Sequence, residues 1–139
     1  MGPIKRPPLP QAVCTLPRHV WPIMSKLKGR QILIVEDEAL IAMELVQAFQ
    51  KAGAFVTTTS TLKQAMILVE HDGLAVAILD HALGVGDSTL LCSRLTVRGI
   101  PFVIYSGLNT TEGACDAGVL VTKPATPDVV VATAEGLLA

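Results

Sequence analysis

The chain has 139 residues, enough for one domain with a buried core and a tail. Half of them are apolar and only 17% are charged, which excludes a largely disordered chain. A net charge of −1 points to neither a nucleic-acid binder nor an acidic tail protein.

That balance hides an asymmetry. Residues 1–30 contain Lys5, Arg6, Arg18, Lys26, Lys28 and Arg30 and no acid, whereas the remainder has five basic against twelve acidic residues. Six of the nine prolines lie within residues 1–28, without apolar periodicity, which predicts a basic, Pro-rich disordered arm ahead of a domain at 29–139. Such an arm either touches an acidic partner, a membrane surface or nucleic acid, or lies upstream of a true start at Met24. The second reading is preferred, because Met24–Lys28 leads straight into the first apolar run. No stretch approaches the roughly 18 apolar residues of a membrane span, and prolines interrupt any secretory core. Cys14, Cys92 and Cys115 are odd in number and widely spaced, which argues against a disulfide framework or zinc site and for a reducing, cytoplasmic compartment.

From Gln31 onward, strand and helix patterns alternate. A strand at 31–35 precedes a helix from Glu38 to Ala52, with Ile41, Leu45, Ala48, Phe49 and Ala52 on one face and Gly53 as its stop. A second strand at 54–58 leads to Ser60, which can cap a helix carrying Leu62, Ala65, Met66 and Val69. The third strand is 75–79, followed by a loop from His81 to Gly86 and a helix from Asp87 or Ser88 to Arg98. The fourth strand, 101–105, is entered through Pro101, which a strand tolerates at its first position. A weak helical signal at about 110–116, a strand at 119–122 and a helix at about 127–138 complete five βα units. Strands apolar at nearly every position imply a parallel sheet covered on both faces, and right-handed crossovers make it a doubly wound α/β fold.

The strand ends deliver the chemistry. Glu36 and Asp37 follow the first strand, Asp80 closes the third, Ser106 and Gly107 follow the fourth, and Lys123-Pro124 follow the fifth. In an open α/β sheet this carboxyl rim is where ligands bind, at the point where strand order reverses. Singly, each residue has an ordinary role: helix-dipole partner, loop acid, turn hydroxyl, solvated lysine. Jointly they describe a site. Two carboxylates about 5 Å apart repel by roughly 3 kcal/mol at an effective dielectric near 20, a repulsion that a divalent cation would relieve. All-oxygen ligation with retained water suits Mg²⁺.

Val35-Glu36-Asp37-Glu38, Ile78-Leu79-Asp80, Tyr105-Ser106-Gly107 and Thr122-Lys123-Pro124 resemble, in order and strand placement, the receiver domain of two-component response regulators. The resemblance spans about residues 30–139. It implies a flavodoxin-like, five-stranded sheet of order 2-1-3-4-5. It also implies a single-domain response regulator that is no conventional enzyme. Such a protein accepts a phosphoryl group on Asp80 from a histidine kinase or histidine phosphotransfer protein in a Mg²⁺-dependent reaction and can lose it again by autodephosphorylation. In that scheme Asp37, Asp80 and the Ala82 carbonyl bind Mg²⁺ directly, Glu36 binds it through water, Ser106 hydrogen-bonds a phosphoryl oxygen, and Lys123 pairs with another. The implied partners are the phosphodonor and a downstream protein, with a phosphorylation-dependent dimer as a further state and no nucleic acid.

The chain also departs from the family pattern. No proline stands about four residues past Asp80, position 120 is leucine where a switching aromatic often sits, and only 17 positions separate Ser106 from Lys123. The last feature predicts an abbreviated fourth helix, as in one receiver subgroup. The alternative function is a receiver-like interaction module that works without phosphorylation. An aspartate-nucleophile phosphatase would need an acid at position 82, which is alanine, and no P-loop is present. Cys92 and Cys115 read as packing residues, because no neighbouring base would activate either.

Overall fold

In a computed structural model, residues 25–80, 88–107, 111 and 113–138 are described. The apolar runs become five parallel strands: β1 (Gln31–Val35), β2 (Phe55–Thr59), β3 (Leu74–Asp80), β4 (Phe102–Ser106) and β5 (Val119–Thr122). Their spatial order is β2-β1-β3-β4-β5, the order the resemblance implied. Helices α1 (Ala39–Lys51), α2 (Leu62–Leu68), α3 (Ser88–Val97) and α4 (Pro127–Gly136) connect or follow them, and a short 3₁₀ helix, Gly113–Ala117, precedes β5.

Strand alternation divides the core in two. Ile32 and Ile34 of β1 and Val76 and Ile78 of β3 pack with Leu45 and Phe49 of α1 and Val130 and Ala134 of α4. Their sequence neighbours Leu33, Val35, Ala77 and Leu79 face the other way, onto Ala65, Val69, Leu91 and Leu95 from the α2 and α3 region. Successive strand side chains point to opposite faces, so a strand apolar at every position feeds both layers. The edge strand β2 has no such demand, and its residues are exposed or half-buried.

Local chemistry sets the helix starts. Thr61, not Ser60, caps α2, its hydroxyl accepting from the Gln64 N–H at 3.2 Å. Both are capping types, and the selected one is three residues before a free N–H. Glu70, just past α2, accepts from Arg94 Nε at 2.5 Å and Arg94 Nη2 at 2.7 Å, tying the α2 end to α3.

Three features bear on the sequence expectations. First, the fourth helix is abbreviated, as the short Ser106–Lys123 spacing predicted: among the described residues it is a 3₁₀ helix five residues long. Gly118 then lets the chain pass close to β4, because a Cβ there would lie 2.4 Å from the Phe102 ring. Second, Cys92 of α3 and Cys115 of the 3₁₀ helix form a disulfide, so neither is a free packing thiol. Spacing alone could not reveal it, since the two cysteines are 23 positions apart and meet only when the 3₁₀ helix packs against α3. It also removes the cysteine argument for a reducing compartment. Third, residues 25–28, which the sequence assigned to the arm, pack onto the domain, while residues 1–24 lie outside the described residues. Leu27 is fully buried against the α1 and α4 layer, and the Ser25 hydroxyl donates to the Glu135 carboxylate near the end of α4. A pattern search misses Leu27 because one apolar residue between two lysines has no periodicity.

Candidate functional site

The sheet order reverses between β1 and β3, both of which start from the centre and run outward in sequence to opposite sides. Val35 pairs with Leu79, so Glu36 and Asp80 stand one step further on, side by side at the crevice. Adjacent strands lie about 4.8 Å apart, which sets the carboxyl separation. Asp80 is level with Tyr105, Ser106 with Thr122, and the Lys123 N–H donates to the Ser106 carbonyl at 2.6 Å. Pairing register therefore brings Glu36, Asp37, Asp80, Ser106 and Lys123 to one rim. Ala82 lies outside the described residues.

Glu36, Asp80 and Ser106 are buried, whereas Asp37 is exposed. Carboxylate oxygens of Glu36, Asp37 and Asp80 lie within 4.8 Å of one another, a spacing that suits a shared cation. Opposite them, Lys123 Nζ lies 3.5 Å from Glu36 Oε1 and 3.6 Å from Asp80 Oδ1. One ammonium thus faces two buried acids, and it is long for a hydrogen bond to either.

The excess negative charge shows in Glu36. Its carboxyl is raised from the ordinary 4.5 to about 7, first by burial, then by its hydrogen bond with Asp80 and by that residue's charge. The Glu38 N–H, donating to Glu36 Oε2 at 3.1 Å, and the Lys123 charge both act in the opposite direction. Burial and a like neighbour disfavour the ionised form, and the donors here do not offset them. A hard cation would. The all-oxygen set, its convergence and this proton affinity fit Mg²⁺ chemically.

One neighbour was not foreseen. The Tyr105 ring centroid lies 5.1 Å from Lys123 Nζ, and the Tyr105 hydroxyl donates to the Ala125 carbonyl at 2.7 Å. Sequence showed Tyr105 only as the residue ahead of Ser106, since the contact depends on how β4 pairs with β5.

Fold and rim together define a class: a doubly wound α/β protein with a cation-ready acidic pocket, a hydroxyl and a lysine at the switch point. Residues 32–135 match the family model described as response regulator receiver domain, and the chain belongs to that family. Solved structures agree in fold. The chain covers 90% of a CheY-like receiver domain protein from Methanospirillum hungatei over 76% of its own length, at 22% identity and TM-score 0.66. It covers all of the chemotaxis regulator CheY4 of Vibrio cholerae over 80% of its length, at 18% identity and TM-score 0.68. With TrrA of Thermotoga maritima, solved in complex with Mg²⁺-BeF, the figures are 99%, 78%, 17% and 0.69. A comparison with curated protein sequences returns no match. No helix among the described residues is long and apolar enough to cross a membrane.

Proposed function

We propose that this protein is a response regulator whose Asp80 accepts a phosphoryl group from a histidine kinase or histidine phosphotransfer protein. The supporting observation is the convergence of Glu36, Asp37 and Asp80 within 4.8 Å, opposed by Lys123 at 3.6 Å from Asp80. An Asp80 carboxylate oxygen attacks phosphorus, an O–P bond forms, and the donor N–P bond breaks, its electron pair staying on the histidine. Asp37 and Asp80 would hold the cation directly and Glu36 through water, and the Ala82 carbonyl expected from the sequence would complete the protein's share. Bound Mg²⁺ supplies charge neutralisation for the transferring group. Lys123 is placed to pair with one phosphoryl oxygen, and Ser106 donates a hydrogen bond to another. Hydrolysis of the acyl phosphate by water would reset the protein.

The donor has a route to the site. A groove of about 670 Å³ runs from Glu36 and Asp37 along α1 to Thr58 and Ser60. Met43, which lines it, is 53% exposed, which suits an apolar helix face. The same reading places the protein in the cytoplasm, together with its donor and a downstream partner or a second copy of itself.

Incubation with Mg²⁺ and saturating acetyl phosphate should add one phosphate to the protein, and Asp80→Asn should add none; mass spectrometry decides it. No incorporation by the wild-type protein would overturn the reading. A second reading, an interaction module independent of phosphorylation, is favoured by Leu120, which packs into the α2 and α3 layer where a mobile aromatic would be needed. It predicts partner binding indifferent to Mg²⁺, phosphodonor and Asp80→Asn.

A further inference from the structure

Lys123 has two kinds of neighbour at the rim, and they respond differently when the site is loaded. Its carboxylate contacts, Glu36 Oε1 at 3.5 Å and Asp80 Oδ1 at 3.6 Å, belong to the groups that a divalent cation would claim. The Tyr105 ring, with its centroid 5.1 Å away, offers a cation an uncharged π face and no oxygen ligand. We infer that Tyr105 is a positioning residue for Lys123, holding the ammonium over its ring so that it stays aimed at the phosphoryl group after the carboxylates turn to the metal.

The ring is itself fixed. Tyr105 is 7% exposed within the core layer that contains Val121 and Val130. Its hydroxyl donates to the Ala125 carbonyl at 2.7 Å, two residues beyond the lysine. The Lys123 N–H to Ser106 carbonyl bond, at 2.6 Å, secures the same segment from the strand side. Ring plane, lysine backbone and the following loop are thus bound together, and only the lysine stem keeps rotational freedom. A rotamer-rich lysine confined this way loses less entropy on meeting its phosphoryl oxygen.

The inference rests on the phosphoacceptor reading, and the experiment separates the two. Initial rates of phosphate incorporation are measured with saturating Mg²⁺ and acetyl phosphate. Tyr105→Leu and Tyr105→Met should be slower than wild type by roughly three- to tenfold, and Tyr105→Phe, which keeps the ring, should stay within about twofold. In a Lys123→Ala background, Tyr105→Leu should slow the residual rate no further, since the ring would act only through the amine. Tyr105 is the only tyrosine in the chain, so growth on ring-fluorinated tyrosine alters that one ring while keeping its packing. Rates should fall as fluorination drains the π face, a readout available even if the leucine and methionine variants fail to fold. Rates unchanged by fluorination, or an equal Tyr105→Leu loss with and without Lys123, would overturn the inference while leaving the phosphoacceptor reading intact. A wild-type protein that takes no phosphate would instead remove that reading.

Discussion

Glu36 is the residue whose titration reports on the pocket. Its folded value near 7 lies above the ordinary 4.5, so its protonated form is favoured by folding. The stability it contributes is complete below the ordinary value and is lost as pH rises through the folded one. Metal-free protein should therefore melt at a lower temperature at about pH 8 than at about pH 5.5, as far as this group is concerned. Saturating Mg²⁺ should recover the difference, and Glu36→Gln should flatten the profile. Cation binding must also displace the proton, so Mg²⁺ affinity should fall below about pH 7 with proton release, measurable by calorimetry in buffers of different ionisation heat. A pH-independent affinity would contradict this account. Glu36, Asp37, Asp80, Ser106 and Lys123 were legible in the sequence because each terminates an apolar strand, and a parallel sheet puts all such ends on one rim. Tyr105 was not legible as a lysine neighbour, because nothing in its local sequence specifies which strand end lies across from it.

Elements show where pattern reading works and where it stops. The face of α1 was readable from its spacing because a helix buries residues three and four apart; Leu45 and Phe49 are indeed its buried pair. The segment after β4 has no comparable periodicity. Its short 3₁₀ helix is secured by the Cys92–Cys115 disulfide to α3 and by the backbone of Gly118 against Phe102. A cross-link spanning 23 positions removes loop-closure entropy from the unfolded chain, on the order of 3 kcal/mol. Cys92→Ser or reduction should lower unfolding stability by about that amount, read by denaturant titration. Thiol labelling of the denatured, unreduced protein should find Cys92 and Cys115 blocked. Three reactive thiols in protein handled without reductant would rule the cross-link out.

At the scale of the molecule, stability comes from two apolar layers sharing one sheet, and Leu27 extends one of them beyond the first strand. Leu27→Ala should destabilise by about 2–4 kcal/mol, the usual cost of emptying a buried leucine site, without altering Mg²⁺ binding at the distant rim. A change below about 0.5 kcal/mol would place Leu27 outside the core. By itself the sequence determined the alternation of strands and helices, the parallel sheet and the set of rim residues, because burial on both faces and the two backbone periods are properties of local pattern. Only the tertiary structure decided the disulfide, the packing of Leu27 and Ser25 and the seating of Lys123 between two acids and a ring. Those contacts join positions far apart along the chain, and their distances exist only after strand register and helix docking have set them.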